Sequence, residues 1–444
     1  MGRVVRGGFT AAAFAAALVV GACAPAPPSE PPPTPPTPAP LRSGPGIPDC
    51  PSHGAGTAAS GVIAANGATA ATADEDEPAE LTIVAVDDTG RPEIVATTPA
   101  LAGATSRSLD ASRDLEVIAV EADRQMSTAT PGGAGNSLVD AARSVGAAGA
   151  AIEAGAMAVT GEPRRSEQWA LDDLAIEPAW ATSRGAGVDI AVVDSGVTGT
   201  HVDLATKLCG GVAFLGSNGV EQRGAGTTDA NGHGTHVAGI AAAAANGVGV
   251  AGVAPDARII PVRVLDAGGT GASSDVARGI TWAVDHGAEV VNLSLGGPRT
   301  AAVETAVAYA ERQGVVVVAA AGNDGPGGPV NYPAALDTAL GVASYDEDHG
   351  LSWFSTRGNY VDLAAPGSGI VSTTNNGRWS YMSGTSMATP HVAGTAALLK
   401  SAEPALSPSQ VRSRLTANAR EAGPIGHDVG FGWGRIDPLA ALRR

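Results

Sequence analysis

Val188-Asp-Ile-Ala-Val-Val-Asp194 is an apolar run of strand length that ends in an acid. Similar short apolar runs lie at 258–265, 290–295 and 315–320. Helical patterns lie near 234–245, 273–286 and 301–313, and a last helix is predicted from Ser386 to Lys400. Alternating strands and helices predict an α/β domain with a mostly parallel sheet, in which functional groups lie at the carboxyl ends of the strands.

Three polar segments stand at the ends of these elements. They are Val193-Asp194-Ser195-Gly196-Val197, Asn231-Gly-His233-Gly-Thr-His236-Val-Ala-Gly239, and Ser383-Gly-Thr-Ser386-Met-Ala-Thr-Pro-His391-Val-Ala-Gly394. A serine hydroxyl is a weak nucleophile, so an imidazole must take its proton and a carboxylate must orient the imidazole. The segments therefore predict a nucleophilic site built from Asp194, His233 and Ser386. His236 and His391 are expected to have structural roles.

The three segments, in this order, closely resemble the signature motifs of the subtilase family, especially its thermitase-like and proteinase-K-like branches. The order Asp, His, Ser is also the order found in subtilisin. The resemblance runs from about Gln168 to the C-terminus. It implies a three-layer subtilisin-like domain with helices on both sides of the sheet. It also implies a serine endopeptidase that hydrolyses peptide bonds through an acyl-enzyme intermediate.

The resemblance assigns roles to further residues. Asn323 would donate its side-chain amide to the oxyanion, beside the N–H group of Ser386. Two edge segments would pair with an extended substrate: Gly269-Thr270-Gly271 and Ser294-Leu295-Gly296. The second segment and Ala320-Ala321-Gly322 would wall the pocket for the residue before the scissile bond. Because these walls are small and apolar, we expect a preference for apolar or aromatic residues there and broad tolerance elsewhere.

Calcium is the structural cofactor that the resemblance implies, and no cofactor is expected for catalysis. The implied ligands are the side chains of Asp203 and Asn246 and the backbone carbonyls of Ala244, Val248 and Val250. These oxygens suit a hard cation. A side-chain ligand from the N-terminal end of the domain is not evident in the sequence. The alternative interpretation makes Asp203 a helix cap and Asn246 a turn residue.

The N-terminus predicts export from the cytoplasm. Arg3 and Arg6 precede an apolar run from Ala11 to Val20, which is too short to span a bilayer. The run closes on Val20-Gly-Ala-Cys23, which resembles the lipobox of bacterial lipoproteins. We therefore expect a signal peptide over residues 1–23 and a lipid on Cys23, which would place the protein at the cell surface. An ordinary signal peptide and a secreted protein are the alternative.

The rest of the chain divides into three predicted parts. Residues 24–80 are a Pro-rich and flexible linker. Residues 81–165 are a small α+β pro-segment, with strands at 81–86 and 115–121 and a helix at 137–155. Residues 166–444 are the subtilisin-like catalytic domain. We expect the pro-segment to inhibit the protease within the same molecule until self-cleavage near residues 160–168.

The chain has three cysteines, Cys23, Cys50 and Cys209. If Cys23 carries a lipid, two thiols remain outside the reducing cytoplasm. They could form one disulfide, Cys50–Cys209, or stay as two separate thiols. The spacing leaves both interpretations open.

Composition narrows the class of partner. The formal net charge is −17, which opposes binding to nucleic acid. Polypeptide substrates are therefore the expected partners. A dedicated processing protease for one secretion partner would share the same chemistry. An inactive lipoprotein that only binds peptides is the alternative from another class, and the presence of all four expected catalytic residues argues against it.

Overall fold

The computed structural model describes residues 80–111, 115–128, 161–216 and 221–443. Its N-terminal part is an antiparallel sheet with the order β2-β1-β3, covered by one helix. The elements are β1 (Leu81–Val86), β2 (Pro92–Thr97), α1 (Pro99–Ala111) and β3 (Glu116–Ala122). A short strand, β4 (Gln125–Thr128), follows and leaves this sheet. The strands expected at 81–86 and 115–121 are present, whereas the helix expected at 137–155 lies outside the described residues.

The larger part of the chain contains the remaining strands and helices. The strands are β5 (Asp189–Asp194), β6 (Val212–Ala213), β7 (Gln222–Arg223), β8 (Arg258–Arg263), β9 (Thr270–Ala272), β10 (Val290–Leu293), β11 (Leu295–Gly296), β12 (Val316–Ala320), β13 (Ala339–Tyr345), β14 (Leu363–Pro366), β15 (Ile370–Thr373) and β16 (Trp379–Met382). The helices are α2 (Trp169–Asp173), α3 (Ile176–Trp180), α4 (His233–Ala242), α5 (Ser273–Asp285), α6 (Ala301–Arg312), α7 (Thr385–Ala402), α8 (Pro408–Ala417) and α9 (Pro438–Leu442).

Within the described ranges, eight strands form the central sheet in the order β14-β13-β12-β10-β5-β8-β6-β7. Neighbouring strands run parallel, except that β6 and β7 are antiparallel. A short antiparallel pair, β15 with β16, lies apart from it. The mostly parallel α/β sheet expected from the sequence is therefore confirmed.

Both faces of the sheet are covered, which explains why its strands are continuous apolar runs. Ile190 and Val192 of β5 pack into one hydrophobic cluster with residues of α4 and α7. Ala191 and Val193 of the same strand face the other way, into a cluster with residues of α5 and α6. Successive side chains of a strand point to opposite faces, so one strand supplies both cores.

The N-terminal sheet packs on the face of the larger part that carries α5 and α6. Val84 of β1 belongs to the same hydrophobic cluster as these helices. Asp123 accepts hydrogen bonds from Ser273 Oγ (2.8 Å) and Ser274 N (3.1 Å) at the start of α5. Glu121 accepts hydrogen bonds from the first two backbone N–H groups of α6, at 2.9 and 3.0 Å. Carboxylates stabilise helix N-termini, so both helices are capped by another part of the chain.

Four strands of the central sheet, β6, β7, β13 and β14, were not predicted from the sequence. In β13 the apolar pattern is interrupted by Gly341 and Ser344. A side chain at Gly341 would place its Cβ 2.3 Å from the carbonyl oxygen of Tyr360, so this close approach requires glycine. A strand shaped by such a contact lacks the unbroken apolar run by which the others were recognised.

In the described ranges, no helix combines the length and apolar character needed to cross a membrane.

Candidate active site

The side chains of Asp194 and His233 form a buried pair at the carboxyl end of β5. The Nδ1 atom of His233 donates to Asp194 at 2.8 Å from Oδ1 and 3.0 Å from Oδ2. Asp194 is fully buried, and its Oδ1 also accepts the N–H of Ser195 at 2.7 Å. With Nδ1 bound to a carboxylate, Nε2 is the basic nitrogen of the ring. This Nε2 is buried and has no hydrogen-bond partner within the described chain.

A second buried carboxylate, Asp229, holds the start of α4 against β5. It accepts hydrogen bonds from Ser195 Oγ (2.9 Å), Gly232 N (2.8 Å) and Thr235 N (2.9 Å). Gly232 has a φ of 98°, a left-handed conformation that favours glycine. Asp229 thereby fixes the turn that positions His233. The sequence reasoning missed this residue, although it lies two positions before the polar segment 231–239 and four positions before the histidine.

Ser386 is the second residue of α7 and is fully buried. Its hydroxyl donates to the carbonyl of Ser294 at 3.0 Å, and the hydroxyl of Ser294 donates to the carbonyl of Ser386 at 2.8 Å. The helices that begin at His233 and near Ser386 pack in the same hydrophobic cluster on one face of the sheet. Catalytic hydrogen bonds are often incomplete without substrate, and rotation about the Cα–Cβ bond redirects a serine hydroxyl.

Asn323 lies just beyond the end of β12, close to the start of α7. Its Oδ1 accepts hydrogen bonds from Thr385 N at 2.9 Å and Thr385 Oγ at 3.1 Å. These two bonds fix the orientation of the amide. The Nδ2 atom is shielded from solvent and has no partner in the described ranges. A preoriented N–H donor of this kind can bind a developing oxyanion.

The two predicted substrate edges lie on either side of β4, which belongs to the chain itself. In the antiparallel order β11-β4-β9, Ser127 is opposite Gly296 and Thr128 is opposite Leu295. On the other side Met126 is opposite Gly271, and the N–H of Thr128 donates to the carbonyl of Gly269 at 3.0 Å. Thr270 lies on β9, opposite Ser127. The cleft therefore holds an extended peptide strand by its backbone.

Met126 anchors this strand in the cleft. Its side chain is 1% exposed, whereas its neighbours Gln125 and Ser127 are exposed. It belongs to a hydrophobic cluster that includes Leu265 and Leu295. The cleft thus has an apolar subsite for one residue of a bound strand.

The second predicted wall of the specificity pocket, formed by Ala320, Ala321 and Gly322, continues from the end of β12. Between this wall and β11 lies a polar side chain that the sequence reasoning missed, Asn331. Its Nδ2 donates to the carbonyl of Ala320 at 2.8 Å. A Cβ placed on Gly296 would lie 2.1 Å from the same nitrogen. Asn331 therefore places a side-chain amide against Ala320 and Gly296, where the sequence predicted only small and apolar walls.

The predicted calcium ligands gather around the loop 244–250. Asp203 is fully buried and accepts hydrogen bonds from Val250 N at 3.2 Å and Trp379 Nε1 at 2.7 Å. The amide nitrogen of Asn246 lies 3.4 Å from Asp203 Oδ1. The side-chain oxygen of Asn246 accepts the N–H of Val248 at 3.0 Å. Asp203 and Asn246 therefore lie together at the loop 244–250.

A further carboxylate, Glu162, reaches this loop from the N-terminal side. It is 4% exposed and accepts the N–H groups of Gly247, Val248 and Gly249 at 2.6, 3.0 and 3.1 Å.

The oxygen atoms around the loop 244–250 belong to side-chain carboxylates and to backbone carbonyls. Glu162 and Asp203 bring two buried carboxylates to one short loop, and buried like charges repel each other. The carbonyl oxygens of Ala244, Val248 and Val250 accept no hydrogen bond from the described part of the chain. Oxygens of both kinds suit a cation such as calcium. In the described ranges, no group of three or more His, Cys, Asp or Glu side chains is placed to hold a metal ion, so a cation shell here would rely on backbone oxygens.

Two other histidines of the polar segments contact backbone carbonyls. The Nε2 atom of His236 contacts the carbonyl of Ser380 at 3.0 Å, and the Nδ1 atom of His391 contacts the carbonyl of Met387 at 2.9 Å. Burial lowers the pKa of His236 to about 3 and that of His391 to about 4. Both rings are therefore neutral in the folded protein at ordinary pH.

Cys209 is disulfide-bonded. The two other cysteines, Cys23 and Cys50, lie outside the described residues, as does the predicted lipobox.

Comparison with known proteins identifies the family of the chain. Residues 185–434 match the subtilase family. Thermitase from Thermoactinomyces vulgaris is 47% identical over 280 residues, which cover 63% of this chain and 96% of thermitase. The minor extracellular protease Epr from Bacillus subtilis is 42% identical over 272 residues, which cover 61% of this chain and 41% of that protein. A protease structure from Pseudoalteromonas arctica has a TM-score of 0.58 and 34% identity, and the match covers 64% of this chain and 98% of that one.

We predict that neither His236 nor His391 titrates between pH 5 and pH 8 in the folded protein, because burial lowers both pKa values. In the unfolded chain both take protons near pH 6.5. Their contribution to the free energy of unfolding is therefore complete above about pH 6.5 and is lost as the pH falls from 6.5 toward about 4 for His391 and about 3 for His236. NMR titration of the imidazole resonances, assigned with His236→Gln and His391→Gln, measures this. Titration of either ring near pH 6.5 before unfolding would contradict it.

Proposed function

Because this chain belongs to the subtilase family and is therefore a serine peptidase, a hydrolase, we propose that Asp194, His233 and Ser386 are its catalytic triad. The observation that carries this proposal is the buried Asp194–His233 hydrogen bond, which leaves the opposite ring nitrogen of His233 without a partner in the described chain. Asn323 is the proposed oxyanion donor, since its amide is oriented by Thr385 and its Nδ2 is likewise without a partner there.

The proposed reaction follows from these positions. Nε2 of His233 takes the proton of Ser386, and the serine oxygen attacks the carbonyl carbon of the substrate. Asn323 Nδ2 and the N–H of Ser386 stabilise the oxyanion. His233 then gives the proton to the leaving amine. In the second half of the reaction His233 takes a proton from water, the water oxygen attacks the acyl carbon, and His233 returns the proton to the oxygen of Ser386. Asp194 holds the ring and stabilises its cationic form throughout.

We propose that residues 81–128 act as the inhibitory pro-segment. The supporting observation is that β4 pairs with both β9 and β11, where a substrate strand would pair. Along β4 the register advances from Gly296 toward Ser294, whose hydroxyl bonds the carbonyl of Ser386. Continuing that register would bring the next bonds of the chain to the nucleophile. Self-cleavage is therefore proposed immediately after β4.

This proposal replaces the cleavage at 160–168 that the sequence suggested. Glu162 and Arg165 are each 4% exposed. Arg165 forms ion pairs with Asp172 at 2.6 Å and Glu177 at 2.8 Å. A bond in this stretch is packed into the catalytic domain and would have to be pulled away from it before reaching the cleft.

We propose an extracytoplasmic location, with the signal peptide over residues 1–23 and a lipid on Cys23. The disulfide at Cys209 supports it, because disulfides persist in oxidising compartments. The name of one relative, the minor extracellular protease, agrees with it. The linker over 24–80 would then hold the catalytic domain away from the membrane.

We predict that the wild type cleaves casein and a small apolar peptide substrate, and that Ser386→Ala cleaves neither. Asn323→Ala should lower kcat by about 10²–10³, as loss of the corresponding donor does in subtilisin. Steady-state kinetics on purified protein measure both effects, and circular dichroism shows whether the variants are folded. Activity retained by folded Ser386→Ala would refute the triad.

Mass spectrometry of the same samples locates the cut. We predict a new N-terminus within a few residues after Thr128 in the wild type and an intact chain in Ser386→Ala. Later trimming toward residue 161 is compatible with this order if the first product in a time course begins after Thr128. A first product that begins within 160–168 would contradict it.

Specificity is predicted to depend on Asn331. We propose that the pocket prefers apolar residues of limited size, because the amide of Asn331 lies against Gly296 and Ala320. Asn331→Gly should raise kcat/KM for a peptide with phenylalanine before the scissile bond by about tenfold relative to one with alanine, the range of one or two methylene groups in a pocket. An unchanged ratio of the two substrates would show that Asn331 does not limit the pocket.

We propose that calcium binds at the loop 244–250, held by Asp203, Asn246, Glu162 and the carbonyls of Ala244, Val248 and Val250. In the Ser386→Ala background, excess calcium over a chelator should raise the melting temperature by about 5–10 °C, as expected for ligand at about 100 times its Kd. Asp203→Asn should remove most of this shift, and magnesium should not reproduce it. Identical melting in calcium and chelator would exclude the site.

A further inference from the structure

The disulfide at Cys209 connects the catalytic domain to a distant part of the chain. Cys209 lies between β5 and β6, is 3% exposed, and donates its backbone N–H to the carbonyl of Ile259 on β8 at 3.0 Å. The chain has three cysteines, and the other two are Cys23 and Cys50. Within one molecule, the partner of Cys209 therefore precedes β1, whichever of the two it is.

This position has a consequence for the processed enzyme, which rests on the self-cleavage proposed above. A cut after β4 places residues 1–128 on one side of the broken bond and Cys209 on the other. Hydrolysis breaks the peptide bond and leaves the disulfide intact. We infer that the processed protease is a two-chain molecule, in which the Cys209 disulfide retains the N-terminal piece together with its inhibitory strand β4.

The contacts that hold this piece without the disulfide are both polar and apolar. They include the two carboxylate caps described above and an ion pair between Arg91 and Asp285 at 2.8 Å, with side chains 30% and 22% exposed. Partly exposed ion pairs contribute little to stability. Val84 and Met126 supply apolar contacts. These contacts are noncovalent, so the N-terminal piece can dissociate after the cut. Dilution then makes its rebinding negligible.

A covalent link changes this balance. A linked segment rebinds at an effective concentration on the order of millimolar when the connection can reach, and dilution does not lower it. The retained strand β4 therefore returns to the cleft after each opening. Activation then requires destruction of the segment or reduction of the disulfide, because simple dissociation is prevented.

The choice of partner cysteine also has a consequence for location. A lipid attached through the sulfur of Cys23 leaves that sulfur unable to form a disulfide, so Cys50 is then the partner of Cys209. The same bond would keep the cut catalytic domain attached to its membrane anchor.

The test uses the full chain carrying Ser386→Ala, so that its outcome does not depend on the proposed activity. A recognition sequence for an unrelated site-specific protease is inserted between Asn136 and Ser137, and the purified protein is cut there. After thiols are blocked, we expect one species close to the intact 43.6 kDa on a gel without reductant and two fragments with dithiothreitol. Two fragments without reductant, or a disulfide-linked dimer of the chain, would overturn the inference.

A second measurement tests retention. The cut protein is immobilised through a C-terminal tag and washed, and the N-terminal fragment that remains is quantified over time. We expect Cys209→Ala to release the fragment at least tenfold faster than the protein with native cysteines. Dithiothreitol added to the protein with native cysteines should give the same fast release. This condition contains no substitution at Cys209 that could change the folding. Equal release in all three conditions would show that the disulfide does not retain the segment.

Discussion

The buried hydrogen bond between Asp194 and His233 is the contact on which the rest of the site depends. A fully buried carboxylate is costly unless its oxygens are hydrogen-bonded, and here Ser195 N and the imidazole satisfy them. The bond requires the end of β5 and the start of α4 to approach closely. Gly234 makes this approach possible, since a Cβ there would lie 2.1 Å from the carbonyl of Gly196. This one hydrogen bond therefore fixes the end of β5, the start of α4 and the imidazole of His233 relative to one another.

Helix N-termini recur throughout the molecule as places where the chain binds oxygen atoms. His233 and Ser386 stand at the starts of α4 and α7. The starts of α5 and α6 receive carboxylates from the N-terminal part of the chain, Asp123 and Glu121. The unpaired N–H groups of a first helical turn favour negative charge. One physical property thus serves both the proposed catalytic serine and the docking of the proposed inhibitor.

Substrate and inhibitor are proposed to share one cleft, and this explains why the N-terminal part must be held and later lost. Strand β4 satisfies the backbone groups of β9 and β11 that a substrate would otherwise satisfy. Met126 adds one buried side chain, so recognition combines sequence-independent backbone pairing with a single apolar anchor. After self-cleavage, the inferred disulfide would keep β4 linked to the catalytic domain and able to return to the cleft.

The sequence by itself determined the class of fold and the chemistry of the site. Strands β5, β8, β10 and β12 were evident because both of their faces are buried, which requires continuous apolar runs. The proposed triad and Asn323 were evident because each lies in a local motif. Only the tertiary structure revealed Asn331 between two walls, Glu162 on the loop 244–250, and β4 in the cleft. These roles arise from contacts between residues far apart in the chain, and no local pattern of residues encodes which distant segments will meet.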